Sequence, residues 1–146
     1  MAGNGTPLVI DTNVILDMYV YEDPAVVALR EWLESGQGLW HATPPMREEL
    51  RRVLDYPHIA RRLEQRGFSA DEVLARFDRH ARIAEPAPRA AYVCKDPDDQ
   101  KFIDLAVVLG ACLVSKDKAV LRMTGRLARL GVRVQRQWSS EATLAA

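Results

Sequence analysis

Two short apolar runs, each ending in an aspartate, constrain this chain more than any other feature. Leu8-Val9-Ile10 leads straight into Asp11, and Ala111-Cys112-Leu113-Val114-Ser115 leads into Lys116-Asp117. Unbroken apolar runs of this length, rather than alternating ones, suit strands buried on both faces of a parallel sheet. Open sheets of that kind carry their ligands beyond the carboxyl ends of the strands. Each aspartate alone is also an ordinary N-cap for a following helix. A functional reading therefore needs several acids to converge.

The rest of the chain alternates strand and helix signals. Val14 to about Val20 reads as a helix, and Asp23-Pro24 caps and opens the next one, which stops at Ser35-Gly36. That helix turns Val26, Val27, Leu29 and Leu33 inward, with Trp32 beside them. Gly38 to Ala42 is a second strand, followed by a helix from Thr43-Pro44-Pro45 to Leu54 that Tyr56-Pro57 breaks. From His58 to Ile83 the signals are helical only. Gly67-Phe68-Ser69 makes the joint there, and Ser69 with Glu72 forms a capping-box pattern. Glu85-Pro86-Ala87-Pro88 is a stiff linker to an expected third strand at Ala90–Cys94. A strong helix over Pro97–Gly110 follows, then strands at Cys112–Ser115 and Val132–Gln135 with a helical stretch around Leu121–Leu130 between them. The pattern predicts a three-layer α/β/α sandwich with helices on both faces of a mostly parallel sheet. It forms one domain over residues 7–138, after a disordered lead at 1–6 and before a tail at 139–146.

Composition excludes more than it selects. A chain of 146 residues buries one core without metal or disulfide staples. Lys+Arg and Asp+Glu balance at 20 each, so no global field attracts a polyanion, although nine arginines lie between Arg47 and Arg82. Cys94 and Cys112 have neither CxxC spacing nor a nearby His and read as small buried hydrophobes. Residues 1–6 contain no basic segment followed by an apolar one, and no run approaches the roughly 20 apolar residues of a membrane span. The expectation is a soluble, cytoplasmic chain with no membrane contact.

The remaining acids are placed by helical spacing. In the helix ending at Leu54, Met46, Leu50, Val53 and Leu54 share one face, and Glu49 borders it. Glu48 points nearly opposite, toward Arg51 or Arg52. In Asp96-Pro97-Asp98-Asp99, Asp96 is a natural N-cap and Pro97 the first helical residue. Asp99 aligns with Phe102, Ile103 and Ala106 and leans toward the sheet. Asp98 follows Phe102, Leu105 and Leu109 and stays open, as Asp96 does, as a contributor to the site, whereas Asp104 reads as solvated.

If Asp11, Glu49, Asp99 and Asp117 meet, electrostatics decides what the meeting is for. Two carboxylates about 6 Å apart repel by about 3 kcal/mol at an effective dielectric near 20. Several such pairs weigh heavily on a domain whose total stability is about 5–15 kcal/mol. Protonation relieves the repulsion, and a divalent cation relieves it and gives it a purpose; an all-oxygen set without His or Cys favours Mg²⁺ or Mn²⁺ over zinc.

Four segments now carry a resemblance. Ile10-Asp11-Thr12-Asn13-Val14, Met46-Arg47-Glu48-Glu49-Leu50, Asp96-Pro97-Asp98-Asp99-Gln100-Lys101-Phe102 and Leu113-Val114-Ser115-Lys116-Asp117 resemble, in order and spacing, the PIN-domain ribonucleases. The likeness runs from Leu8 to about Trp138. The Asp96–Asp99 run, with Arg51-Arg52-Val53-Leu54 and Tyr56-Pro57, is similar to the branch that supplies toxins of toxin–antitoxin pairs. The resemblance implies a parallel sheet of about five strands with an acidic pocket at one edge. It carries the family's acidic quartet onto Asp11, Glu49, Asp99 and Asp117, and its hydrogen-bonding supports onto Asn13 and Ser115. Glu48 against Glu49, and Asp98 against Asp99, are the positions where the carry-over can slip by one.

What the resemblance implies in function is metal-assisted hydrolysis of RNA phosphodiesters with one or two Mg²⁺ or Mn²⁺ ions. Asp11 and Asp99 are the expected direct ligands, with Glu49 and Asp117 ligating or holding metal-bound water. Arg47, Arg51 and Arg62, with Arg61 and Arg66 near them, are expected to receive the RNA backbone. A homodimer and a small antitoxin protein are the implied partners. Two alternatives stay open: a structure-selective nuclease in RNA or DNA processing, and a partner-binding module with little activity. A haloacid-dehalogenase-like phosphatase is disfavoured because position 13 is Asn where a second Asp is needed, and a receiver domain because Lys116-Asp117 fits it poorly.

Overall fold

The structure is a computed structural model that describes residues 6–139. The expected lead and tail lie, apart from Thr6 and Ser139, outside the described residues. Five parallel strands form the sheet among them: β1 (Pro7–Ile10), β2 (Leu39–Ala42), β3 (Arg82–Ile83), β4 (Cys112–Val114) and β5 (Arg133–Gln135). Their order is β3-β2-β1-β4-β5. The chain builds outward from β1 on one side, then returns to β1's other side with β4. That reversal makes a crevice beyond the carboxyl ends of β1 and β4, the place where α/β sheets bind ligands. Leu8, Val9, Ile10 and Cys112 to Val114 are all essentially inaccessible, as unbroken apolar runs in central parallel strands demand.

The helices are α1 (Thr12–Leu16), α2 (Val27–Glu34), α3 (Pro44–Leu54), α4 (Pro57–Arg66), α5 (Ala70–His80), α6 (Pro97–Leu109), α7 (Lys118–Leu121) and α8 (Thr124–Ala128). The helix expected from Val14 to Val20 is α1 continued by a π-helical turn over Asp17–Tyr21, which ends at Glu22 in a left-handed conformation. π-Helical turns often accompany functional sites. The helix expected at Pro24 begins with a 3₁₀ turn, Pro24–Val26, capped by the Asp23 carboxylate. The joint at Gly67-Phe68-Ser69 forms as expected: Gly67 takes a φ of 74°, and the Ser69 hydroxyl accepts from the Glu72 amide. On one face of the sheet Trp40 packs edge-on against Phe77 with ring centroids 5.1 Å apart, locking β2 to α5.

Two expectations need correction. The third strand is Arg82–Ile83, not Ala90–Cys94, which has no regular structure. Secondly, Asp104 is not simply solvated. Its Oδ1 accepts from the Ala90 amide and from Gln100 Nε2, both at 2.8 Å. Gln100 Oε1 in turn accepts from the Cys94 amide at 2.6 Å. These bonds pin the irregular segment along α6 and satisfy backbone groups that a strand would have paired. The pinned segment delivers Asp96 to the start of α6.

Candidate metal centre

Each acid of the crevice is aimed by local backbone chemistry. Asp11 follows β1 and caps α1, with Oδ1 accepting from the Asn13 amide at 3.4 Å. Asp117 caps α7, with Oδ1 accepting from the Ala119 amide at 2.8 Å. Asp96 caps α6, with Oδ1 accepting from the Asp98 amide at 2.9 Å. Capping and convergence are thus not rival explanations. A cap holds one carboxylate oxygen, which fixes where the other oxygen points.

Ser115 ties the two central strands together at this edge. Its hydroxyl donates to Asp11 Oδ2 at 2.8 Å and accepts from the Asp117 amide at 3.1 Å. Being wholly buried, it fixes Asp11 and Asp117 relative to each other without help from solvent. Asp99 sits in the first turn of α6, 7% exposed, and its Oδ2 is buried with no donor among the described residues. Carboxylate oxygens of Asp96, Asp99 and Asp117 all lie within 4.8 Å of one another.

The electrostatics follow from that crowding. Burial pushes the Asp99 carboxyl up to about 8, and the charges of Asp11, Asp117 and Asp96 push the same way. Burial also raises Asp11; its bonds from Ser115 and Asn13 oppose the shift, and Asp117 and Glu49 add to it. No lysine or arginine pairs with Asp11, Asp96, Asp99 or Asp117 among the described residues. An ion made only of oxygen-seeking positive charge fits this set: hard carboxylate donors, one of them buried and unpartnered, with no nitrogen or sulfur ligand.

Glu49 is arranged differently. Its Oε1 accepts from the Thr12 hydroxyl at 2.6 Å, and its Oε2 lies 3.4 Å from Lys101 Nζ. It borders the buried face of α3, while Glu48 is exposed and paired with Arg51, as helical spacing predicts. Asp98 is exposed, so the inward acid at the start of α6 is Asp99. Asn13 is exposed beside the cluster and meets Asp11 through its backbone amide.

The arginines expected at a substrate path are not gathered at the cluster. Arg47 makes a two-pronged bond to Asp78, at 2.7 and 2.9 Å, and Arg51 pairs with Glu48. Arg62 is half-buried, with Nε lacking an acceptor. Two site neighbours escape sequence reasoning altogether. Thr12 and Lys101 hold Glu49 from elements 37 and 52 residues away from it, and no local spacing signals either contact. Asp96 is legible as a cap and stays open as a site residue, because its place in the cluster depends on the fold.

The fold and its cluster define an α/β protein with an acidic crevice at a topological switch point. The PIN-domain family model matches residues 7–119, and the chain belongs to the PIN-domain family. PIN domains are in general nucleases that bind divalent metal ions and act on nucleic acid. No curated protein matches the chain significantly. No helix among the described residues is long and apolar enough to cross a membrane.

Proposed function

We propose that this protein is a Mg²⁺- or Mn²⁺-dependent endoribonuclease whose centre is built from Asp11, Glu49, Asp99 and Asp117, with Asp96 beside them. The observation that carries this reading is the buried, donorless Asp99 oxygen facing the carboxylates of Asp96 and Asp117. Asp11, Asp99 and Asp117 are the proposed holders of the ion, and Asp96 adds a fourth carboxylate at the same edge. A bound divalent ion supplies charge neutralisation at a phosphate and a water acidified enough to attack at neutral pH. Ser115 keeps Asp11 and Asp117 in register, so the site is preorganised. Thr12 and Lys101 hold the Glu49 carboxylate at the crevice, where it can orient and take a proton from the attacking water.

Substrate strands are proposed to run over Arg47, Arg51 and Arg62. The surface ion pairs of the first two are weak enough to exchange for phosphates. The assignment to a toxin–antitoxin pair, with its antitoxin partner, rests on the likeness of Asp96–Asp99, Arg51–Leu54 and Tyr56-Pro57 to the toxin branch; the homodimer rests on the family resemblance, and the cytoplasmic setting on the sequence reading. The ribonuclease reading is tested by cleavage of a mixed single-stranded RNA pool by the purified chain with Mn²⁺, Mg²⁺ or EDTA. Asp11→Asn and Asp99→Asn proteins, checked for folding by circular dichroism, run alongside. Metal-dependent cutting lost in both supports the reading. Cutting that survives both substitutions, or EDTA, refutes it.

A further inference from the structure

A cleft of about 580 Å³ opens beside the acidic cluster and shares Asn13 and Asp117 with it. Its volume lies within the roughly 300–1,000 Å³ typical of sites that enclose a small organic group. Its lining also includes Tyr56, His58 and Lys116. We propose that this cleft seats an unpaired base of the substrate strand, stacked on the Tyr56 ring, next to the phosphate held at the carboxylates. The proposal rests on the phosphodiesterase reading above and adds to it a base-stacking position carried by Tyr56.

Tyr56 is 48% exposed, and of the large exposed apolar side chains among the described residues it alone lines this cleft. Its backbone is fixed on both sides. Pro57 restricts it to an extended conformation, with ψ at 137°, and its carbonyl accepts from the Ile59 and Ala60 amides to open α4. A ring carried on so rigid a backbone loses little entropy on stacking. His58 lies beside it, with ring centroids 6.4 Å apart, and extends the aromatic surface. Leu16 and Ile59 give the cleft an apolar floor. Lys116 and Asp17, paired at 2.5 Å, both line the same space and give it a polar wall whose ammonium can also meet a phosphate.

An aromatic face, an apolar floor, one ammonium and an adjoining site for a divalent cation match the parts of one nucleotide. Aromatic stacking accepts any base but only when the base is out of a duplex. The π-helical turn over Asp17–Tyr21 shapes this cleft by turning Asp17 and Tyr21 toward it.

The test is fluorescence titration of the full chain, in EDTA, with a single-stranded methylphosphonate oligonucleotide carrying 2-aminopurine. The uncharged backbone is not repelled by the carboxylates and is not cut, so the readout isolates the base. Quenching on binding is expected, with Tyr56→Ala weakening Kd by about 5- to 20-fold and Tyr56→Phe leaving it within about twofold. With natural RNA and Mn²⁺, Tyr56→Ala raises KM and leaves kcat in place. No binding, equal binding of a duplex probe, or a Tyr56→Ala protein that binds like wild type overturns the proposal. So does a change of oligomeric state in Tyr56→Ala with probe binding intact, which assigns the cleft to a second copy. If the probe binds through Tyr56 but no RNA is cut in Mn²⁺, the base site stands and the phosphodiesterase reading falls.

Discussion

The molecule treats its carboxylates in two opposite ways. On the helical layer of α2 to α5 and at the turn that precedes it they meet arginines: Asp78 with Arg47, Glu48 with Arg51, Glu34 with Arg76, and Glu22 with both Arg30 and Arg66. At the carboxyl edge of β1 and β4, Asp11, Asp96, Asp99 and Asp117 meet chiefly one another. Arg47 holds the Asp78 carboxyl below its ordinary range through its hydrogen bonds, and Arg51 does the same for Glu48. Burial and like charge hold Asp11 and Asp99 above theirs. A chain with 20 cationic side chains had enough to neutralise the second group. Leaving that group unneutralised costs stability, so the arrangement is explained by what it binds.

Replacing one acid from each region tests that contrast with the largest effect. Asp99→Asn is expected to lower RNA cleavage by more than about 100-fold, beyond the loss typical of partners one step away from a metal. Asp78→Asn is expected to leave cleavage within about twofold, since its carboxylate is a surface partner only. Single-turnover rates in Mn²⁺ measure both. The next effect is that of Ser115→Ala, which removes the side-chain bridge between Asp11 and Asp117 and leaves the backbone pairing of β1 with β4 in place. A loss of about 10- to 100-fold in metal affinity or activity is expected, with the fold retained.

pH separates the two regions by sign. In the ion-free protein Asp99 binds its proton more tightly folded than unfolded, so folding takes up a proton. Stability from this group is fully present below the unfolded value of 3.8 and is lost as the pH rises through about 8. Asp78 behaves the other way: its contribution is present above its unfolded value and is lost as pH falls through its lowered folded one. Urea unfolding in EDTA at pH 5 and pH 8 is expected to show Asp99→Asn stabilised relative to wild type, and more so at pH 8. The smallest effect belongs to the Arg47–Asp78 pair. Its coupling energy in a double-mutant cycle is expected to stay below about 1 kcal/mol, because both side chains are well exposed.

Much of this was legible in the residues, and the gaps have physical causes. Strands β1 and β4 announce themselves through unbroken apolar runs, because both their faces are covered. The inward choice of Glu49 over Glu48 follows from helical spacing, which geometry enforces; Asp99 over Asp98 does not, because both align with apolar positions of α6 and only the folded chain leaves Asp98 exposed. β3 was not legible: two exposed residues at a sheet edge, Arg82 and Ile83, carry no period and no apolar signal. Ala90–Cys94 has the composition of a strand, yet its amides are taken by Asp104 and Gln100 instead. That solution depends on a loop folding back over α6, which periodicity within α6 does not register. Thr12 and Lys101 belong to the same class of long-range contact, visible only once α1, α3 and α6 are assembled.

The most direct measurement is calorimetric titration of Mn²⁺ into wild-type, Asp99→Asn and Asp78→Asn proteins. Saturable binding to the wild type is expected, weakened by more than about 10-fold in Asp99→Asn and unchanged in Asp78→Asn. Equal affinity in all three, or no binding by folded wild type at millimolar Mn²⁺, would contradict a metal centre built on Asp99.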